Sequence, residues 1–328
     1  MIRNKIAAPV LFFAGFLFAA NTAVAQENIP QATIDNGLVK LTTYLPDGEN
    51  GYYRGTRFDW SGVIPSVEYD GHQYHGQWFE QYNPTTHDAV MGPVEEFDPV
   101  GYDEAAPGQP FVKIGVGALT KPEEGSYSPF KPYTIANPGK WKVKKTGSQV
   151  VYTHTLKEGP YAYKYQKTVR LTKGKPELVL IHTLKNTGTQ PIRTRAYDHN
   201  FFVIDGHPTG PGYEITFPSV RLSPEGNKGL GTVVNIDGSK IEYLRTLDAG
   251  EQGYFPDLAS GVEVPYEFRV EHTTSGAGVK VTADRPISQL VFWSNPATVC
   301  PEPYMEINVA PGETFSWQIT YEYYSIRN

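Results

Sequence analysis

A large antiparallel β-sandwich is the fold class this sequence predicts, on three observations. Its 32 Gly and 27 Pro are spread along the whole 328 residues. No long stretch carries apolar residues at helical spacing. Period-two alternation of apolar and polar residues recurs instead, in short runs separated by turn signals.

The elements follow in chain order. Residues 1–25 read as a targeting leader: Arg3 and Lys5 form a positive start, Ile6 to Ala20 an apolar run, and Ala23-Val24-Ala25 a small-residue cleavage site ahead of Gln26. That run is short for a membrane span, and no later segment approaches about 18 consecutive apolar residues. The expectation is a cleaved chain, periplasmic or secreted, with no membrane attachment. Tyr53-Arg54-Gly55-Thr56-Arg57-Phe58-Asp59-Trp60 reads as an early strand. Residues 79–140 are dominated by Pro, Gly and acidic residues, and Asp98 to Pro110 has little period; loops of that length in a compact domain are usually functional or disordered. Within them, Phe111 to Gly117 reads as a strand with an exposed lysine.

Later segments are more regular. Tyr163 to Leu171 alternates, with one face mostly aromatic or aliphatic. Lys173-Gly174-Lys175-Pro176 then turns the chain, and Leu178 to Leu184 is apolar on both faces, as a central strand is. Thr187-Gly188 turns it again. Near the end Phe315, Trp317, Ile319, Tyr321 and Tyr323 alternate with Ser316, Gln318, Thr320 and Glu322, a half-buried antiparallel strand. No shift of composition marks a boundary, so residues 26–328 are expected to form one domain.

Composition excludes several function classes. The chain has 29 basic and 35 acidic residues, a net charge of −6 that becomes −8 once Arg3 and Lys5 leave with the leader. Nucleic-acid binding needs clustered Lys and Arg to meet phosphates. The densest basic run, Lys142-Val143-Lys144-Lys145, reads as a solvated strand face. Cys300 is the single cysteine, so no internal disulfide forms, and a buried thiol fits it better than a reactive one. His72, His75 and His87 lie close in sequence but lack the spacing of a zinc or calcium site, so no metal or other cofactor is expected. The Gly115-Val116-Gly117 step is no nucleotide signal, since no helix pattern follows.

Two residues stand out chemically. In a strand, His199 faces away from Asp198 and Asn200, with Phe201-Phe202 anchoring it in the core. A histidine so placed can exchange a proton near neutral pH; the plain alternative is a structural, hydrogen-bonded histidine. Glu302 stands between Pro301 and Pro303, which reads as a proline-braced turn holding a carboxylate rigidly, or as an ordinary exposed turn acid. In the Tyr53–Trp60 segment, Arg54 and Arg57 could grip a carboxylate while Trp60 stacks on a flat ring, or could form a surface ion pair with Asp59 beside a packed tryptophan.

Asp198-His199-Asn200-Phe201-Phe202 and Cys300-Pro301-Glu302-Pro303, with Leu184-Lys185-Asn186-Thr187-Gly188 before them, resemble the galactose-mutarotase-like superfamily of sugar-processing proteins. Its sugar mutarotases carry a catalytic histidine in an Asn-His-x-x-Phe-like strand and a catalytic glutamate late in the chain, often in a Cys-x-Glu-Pro setting. The resemblance implies a supersandwich fold and an aldose 1-epimerase in which Glu302 is the base, His199 the acid, and the ring opens and recloses without a cofactor. It would require a carboxylate facing a protonated histidine, which mutual attraction favours. The chain departs from the family in its N-terminal half: Val90-Met91-Gly92-Pro93-Val94-Glu95-Glu96 has methionine where another histidine is expected, leaving Glu95 or Glu96 to take its place. His75-Gly76 lies too early to substitute.

The expected substrate is a mono- or oligosaccharide, with Arg54, Arg57, Trp60, Glu96, Lys113 and Tyr304 as candidate contacts. Thirteen per cent aromatic residues serve sheet packing and sugar stacking alike. Two other readings use the same fold. A lyase or hydrolase acting on an acidic glycan would use the arginines and Lys113, with Glu96 and Glu302 as paired acids. A non-catalytic carbohydrate-binding protein would need the aromatics but not the acid/base pair. Nothing in the sequence bears on oligomeric state.

Overall fold

The computed structural model describes residues 29–157, 159–223 and 226–326. The leader assigned to residues 1–25 lies outside them. Among the described residues, regular structure is strand apart from one 3-10 turn at Ile204–Gly206.

Strands β1 (Gln31–Asp35), β2 (Val39–Tyr44), β3 (Ser66–Tyr69) and β4 (His72–Gln73) form a four-stranded sheet. The loop-rich stretch then supplies β5 (Gly92–Phe97) and a three-stranded sheet of β6 (Pro110–Lys113), β7 (Gly117–Thr120) and β8 (Ile135–Asn137). Next come β9 (Lys140–Thr146), β10 (Gln149–Leu156), β11 (Tyr163–Leu171), β12 (Glu177–Asn186) and β13 (Ile192–Phe201). After the 3-10 turn follow β14 (Tyr213–Thr216), β15 (Val234–Asp237), β16 (Lys240–Tyr243) and β17 (Gly253–Val264). The chain closes with β18 (Glu267–His272), β19 (Ala277–Ala283), β20 (Ile287–Asn295), β21 (Thr298–Val309) and β22 (Thr314–Ser325).

Two large sheets organise the molecule. One has ten strands in the order β15-β16-β14-β18-β19-β22-β12-β11-β10-β9, and the other five in the order β17-β20-β21-β13-β5. The hairpin signal at Lys173–Pro176 joins β11 to β12 with Leu171 paired to Leu178, and Gly174 takes the positive φ of 72° that the turn requires. β12 lies between β11 and β22 inside the ten-stranded sheet, in keeping with its apolar faces. Along β22 the odd-numbered Trp317, Ile319, Tyr321 and Tyr323 are buried. The lysine-rich β9 is an exposed edge, where lysine discourages pairing with other chains.

Two sequence expectations are corrected. Tyr53–Trp60 is no strand; only Phe58 bridges, to Glu96. The segment folds back on itself, with the Tyr53 hydroxyl accepting from the amides of Arg57 and Phe58 (both 3.3 Å) and the Trp60 indole donating to the Gly55 carbonyl at 2.8 Å. Local hydrogen bonds thus replace a ladder. Likewise Cys300–Pro303 is no turn but lies within β21, an interior strand of its sheet.

Between the two large sheets the aromatic and aliphatic core encloses a set of buried charges. Glu95 of β5 bonds Lys167 of β11 and approaches His182 of β12 at 2.5 Å, and Lys167 also donates to the Ser61 carbonyl at 3.1 Å. Burial would raise the Glu95 carboxyl, but Lys167 and His182 hold it at about 2. Burial, and then the negative charge of Glu95, pushes nearby Asp59 and Asp198 upward instead. Removing one partner of a buried pair strands the other's charge and costs about 3–5 kcal/mol. Lys167→Ala is therefore expected to lose about that much stability in urea unfolding, and Glu95→Gln in the same background to recover much of it.

Candidate active site

The five-stranded sheet turns one face to the ten-stranded sheet and the other to a cavity, and strict alternation sorts its residues between them. On β13, Arg195, Tyr197, His199 and Phe201 face the cavity. Asp198 and Asn200 face inward, where both bond the Tyr321 hydroxyl of β22. The same sorting brings Glu302 and Tyr304 of β21, Gln289, Val291 and Trp293 of β20, Tyr254 and Pro256 of β17, and Glu96 of β5 to the cavity wall. Loops complete it with Arg57, Trp78, Asp88, Tyr127 and Phe130. The volume is about 670 Å³, within the range of small-molecule sites.

His199 and Glu302 meet on its floor. Tyr197 pairs with Tyr304 and Phe202 bridges to Val299, so the common register sets His199 opposite Glu302 across neighbouring strands. Their Nε2 and Oε1 atoms are 3.3 Å apart. Phe201 stacks flat on the imidazole at 3.9 Å, and Phe58 and Trp293 meet it edge-on at 5.8 Å, which fixes the ring plane. Its Nδ1 has no hydrogen-bond partner among the described residues.

Electrostatics here reverse the ion pair expected from the sequence. Burial, reinforced by the nearby Arg57 guanidinium, drives His199 well below the ordinary histidine value. Burial also lifts Glu302 to about 8, with Glu96 and Asp88 adding to the rise against the pull of Arg57. Both shifts favour the uncharged forms, because dehydrating the groups outweighs their mutual attraction. When the pair holds one proton, these shifts place it on the carboxyl rather than on the imidazole.

A second cluster builds the adjoining wall. Arg57 bonds Asp88, donates to Glu96 Oε2 at 2.6 Å and donates to the Tyr197 hydroxyl at 3.1 Å; that hydroxyl donates to the same Glu96 oxygen at 2.6 Å. Glu96 is buried, yet Arg57 and Lys113 keep it below the ordinary glutamate value. At the rim Arg195 pairs with Asp98 at 2.7 Å, donates to Gln289 at 2.8 Å and lies over the Tyr304 ring.

Of the residues singled out in the sequence, His199, Glu302, Arg57, Glu96 and Tyr304 line this one cavity; Arg54, Trp60 and Lys113 do not. Lys113 corrects the exposed-lysine expectation: it is wholly buried, bonds the Phe97 carbonyl and reaches Glu96 at 3.5 Å. Trp60 is buried in a satellite core, where Met91, in the segment that departs from the mutarotase pattern, also packs. His72, His75 and His87 are not brought together: His72 bonds Asp205, His75 bonds the Phe201 carbonyl, and His87 Nδ1 lies 2.8 Å from Asp88. Among the described residues no group of three or more His, Cys, Asp or Glu is arranged to hold a metal ion. Cys300 is buried, and burial pushes its thiol well up.

Sequence reasoning missed Trp78, Asp88, Arg195, Tyr197 and Trp293. Arg195 and Tyr197 were within reach, since they share the alternation of His199. Trp78 was not: its ring stacks on Phe201 at 4.9 Å from a loop, and its indole donates to the Val90 carbonyl at 2.9 Å.

No protein-family model matches the chain, and no curated protein matches it significantly in sequence. Solved structures do match it along nearly their whole length. A galactose mutarotase related enzyme from Lactobacillus acidophilus superposes with a TM-score of 0.54 at 14% identity, over 91% of this chain and 98% of that one. The GalM/aldose epimerase homologue from C. elegans gives 0.52 at 13% identity, over 91% and 99%. The Slr1438 protein from Synechocystis sp. PCC 6803 gives 0.54 at 12% identity, over 94% and 99%. By architecture, the chain is a galactose-mutarotase-like β-sandwich.

Proposed function

We propose that this protein is an exported aldose 1-epimerase that opens and recloses the ring of an uncharged sugar with His199 and Glu302. The observation that carries the reading is the cross-strand pair itself, 3.3 Å apart on the floor of a sugar-sized cavity. Export rests on the leader over residues 1–25, and the sugar class on the neighbours of like fold together with the cavity.

The resting protonation assigns the first step. Neutral His199 takes the proton from the anomeric hydroxyl as the C1 carbonyl forms. The C1–ring-oxygen bond breaks, and protonated Glu302 gives its proton to the ring oxygen. The pair is then imidazolium and carboxylate, the ion pair that the family resemblance implies for the start. Rotation about C1–C2 turns the other carbonyl face to the ring hydroxyl. Glu302 takes the proton back from that hydroxyl as the ring closes, and His199 returns its own to the anomeric oxygen. Each turnover restores the starting pair, with no net proton uptake.

Charge bookkeeping around the cavity favours a neutral ligand. Arg57 is already held by Glu96 and Asp88, and Arg195 by Asp98, so neither guanidinium is left over for a uronate. Lys228, which also lines the cavity and has no ion pair among the described residues, is the one cation there that an acidic glycan could meet. Trp78, Trp293, Tyr304 and Phe130 offer the flat apolar surface on which a pyranose face stacks.

Proton NMR of freshly dissolved hexoses should show anomers equilibrating faster with the wild type. Both His199→Ala and Glu302→Gln should lower that rate by about 10²- to 10⁴-fold, the usual weight of a positioned acid or base. A neutral hexose should be turned over faster than its uronate. If no hexose in a broad panel is accelerated, the epimerase reading falls.

Glu302 also makes stability depend on pH. Its carboxyl is raised from the ordinary 4.5 to about 8 by burial, so between those values the folded state binds a proton that the unfolded state does not. That contribution is complete below about 4.5 and disappears as pH rises through about 8. Melting temperature should fall across this window more steeply in the wild type than in Glu302→Gln, and turnover should fall with it.

A further inference from the structure

We propose that Asn200 is a positioning residue: its buried amide replaces the strand-to-strand hydrogen bonds that Pro301 and Pro303 delete, and so sets the spacing of His199 and Glu302. This deepens the epimerase reading and rests on it for the consequence in turnover; the structural part stands without it.

Proline is foreign to the interior of a sheet because it brings no N–H to the ladder. β21 nevertheless carries two, and it keeps its ladder to β20 through both, with Pro303 paired to Leu290 and Pro301 to Phe292. The missing donors face β13. In an antiparallel ladder the N–H and C=O of one residue point to the same neighbour, and the Pro301 carbonyl accepts from Asn200 on β13. Pro303, two residues on, points the same way. Accordingly the β13–β21 ladder stops at Tyr197–Tyr304 and returns only as the lone Phe202–Val299 bridge. The gap spans the residues opposite Asp198, His199 and Asn200.

Asn200 closes that gap with its side chain. Nδ2 donates to the Asp198 carbonyl at 3.0 Å and to the Pro301 carbonyl at 2.9 Å. Oδ1 accepts from the Tyr321 hydroxyl at 2.7 Å, which ties the clamp to the ten-stranded sheet. Asn200 is wholly buried, so water cannot take over these bonds. The reacting pair thus sits where backbone pairing is absent, and one amide holds its two strands at a set distance.

The charged and titratable groups facing the pair are Arg57 and Asp88 from loops, Glu96 from β5, Tyr197 from β13, Tyr304 from β21 and Tyr254 from β17. Asp198, Tyr266, Tyr321 and Cys300 lie behind it. Asn200→Ser removes the forked donor and with it the amide's bonds to the Asp198 carbonyl and to Tyr321, and leaves the groups on the cavity side in place. Contact between His199 and Glu302 stabilises the form of the pair that holds one proton, so loosening the contact lets that proton leave at lower pH.

The test is a carbon NMR titration of glutamate-labelled full-length protein without sugar, with Glu302 assigned through Glu302→Gln. The Glu302 step should move down by about one pH unit in Asn200→Ser, a tenfold change in the proton equilibrium. An unmoved step together with a lowered melting temperature would show a merely structural asparagine and overturn the proposal. Should Asn200→Ser not fold, Tyr321→Phe removes the hydroxyl that anchors Oδ1 and also bonds Asp198, with Asp198→Asn as the control for the second bond; a downward move in Tyr321→Phe that Asp198→Asn does not reproduce supports the clamp, and any other result overturns it. With an aldose that the wild type turns over, Asn200→Ser should lose about tenfold in kcat at little change in KM, as expected for lost orientation. If the wild type turns over no sugar, the epimerase reading fails while the titration still decides the clamp.

Discussion

The buried contact of Lys167 and His182 with Glu95 ties the two large sheets together, and the geometry of the cavity depends on it. An ion pair in such a place is not a strong source of net stability, since dehydrating both charges offsets most of their attraction. Its effect is on register. β5 alternates, so with Glu95 turned to Lys167 between the sheets, Glu96 must turn to the cavity. A slip of one residue would bury Glu96 against Lys167 and break its bonds to Arg57 and Tyr197.

That choice also distributes charge through the molecule. Glu95 takes the negative charge among the inter-sheet carboxyls, and Asp59 and Asp198 are pushed toward their protonated forms. On the cavity side Glu96 is charged because Arg57 and Lys113 meet it, and its charge helps raise Glu302. Glu302 is without a cation of its own, so burial governs it. The result is that His199 and Glu302 are both biased toward their uncharged forms, beside a wall in which Arg57 and Arg195 are paired with carboxylates and Lys228 is not, among the described residues.

Much of the sheet framework was legible in the sequence, and the reason is periodicity. β11 was expected from Tyr163 to Leu171 and occupies that range; β12 and β22 extend a few residues beyond the alternating runs that announced them. Those strands are ordinary in composition, and β11 and β12 end at glycine turns. Tyr53–Trp60 misled because its aromatic residues look like a strand while its amides go to scattered partners: Arg57 and Phe58 to the Tyr53 hydroxyl, and Arg54, Asp59 and Trp60 to the Pro84, Glu95 and Gly115 carbonyls. Cys300–Pro303 misled because two prolines around one residue usually mark a turn. Here they lie in an interior strand whose lost bonds are supplied by Asn200, a residue about a hundred positions earlier, and no local rule could anticipate that.

By itself the sequence determined the all-β class and the strands with clear alternation. It also determined which side of β13 each residue would take, because alternation is a property of the extended chain. Only the tertiary structure decided that His199 and Glu302 are neighbours, that Arg57 is occupied, that Lys113 is buried, and that Trp78 and Trp293 reach the same cavity. Protonation belongs to that second group. A carboxyl's affinity for its proton is set by the water removed from around it and the charges left beside it, and both are fixed only when distant strands pack together.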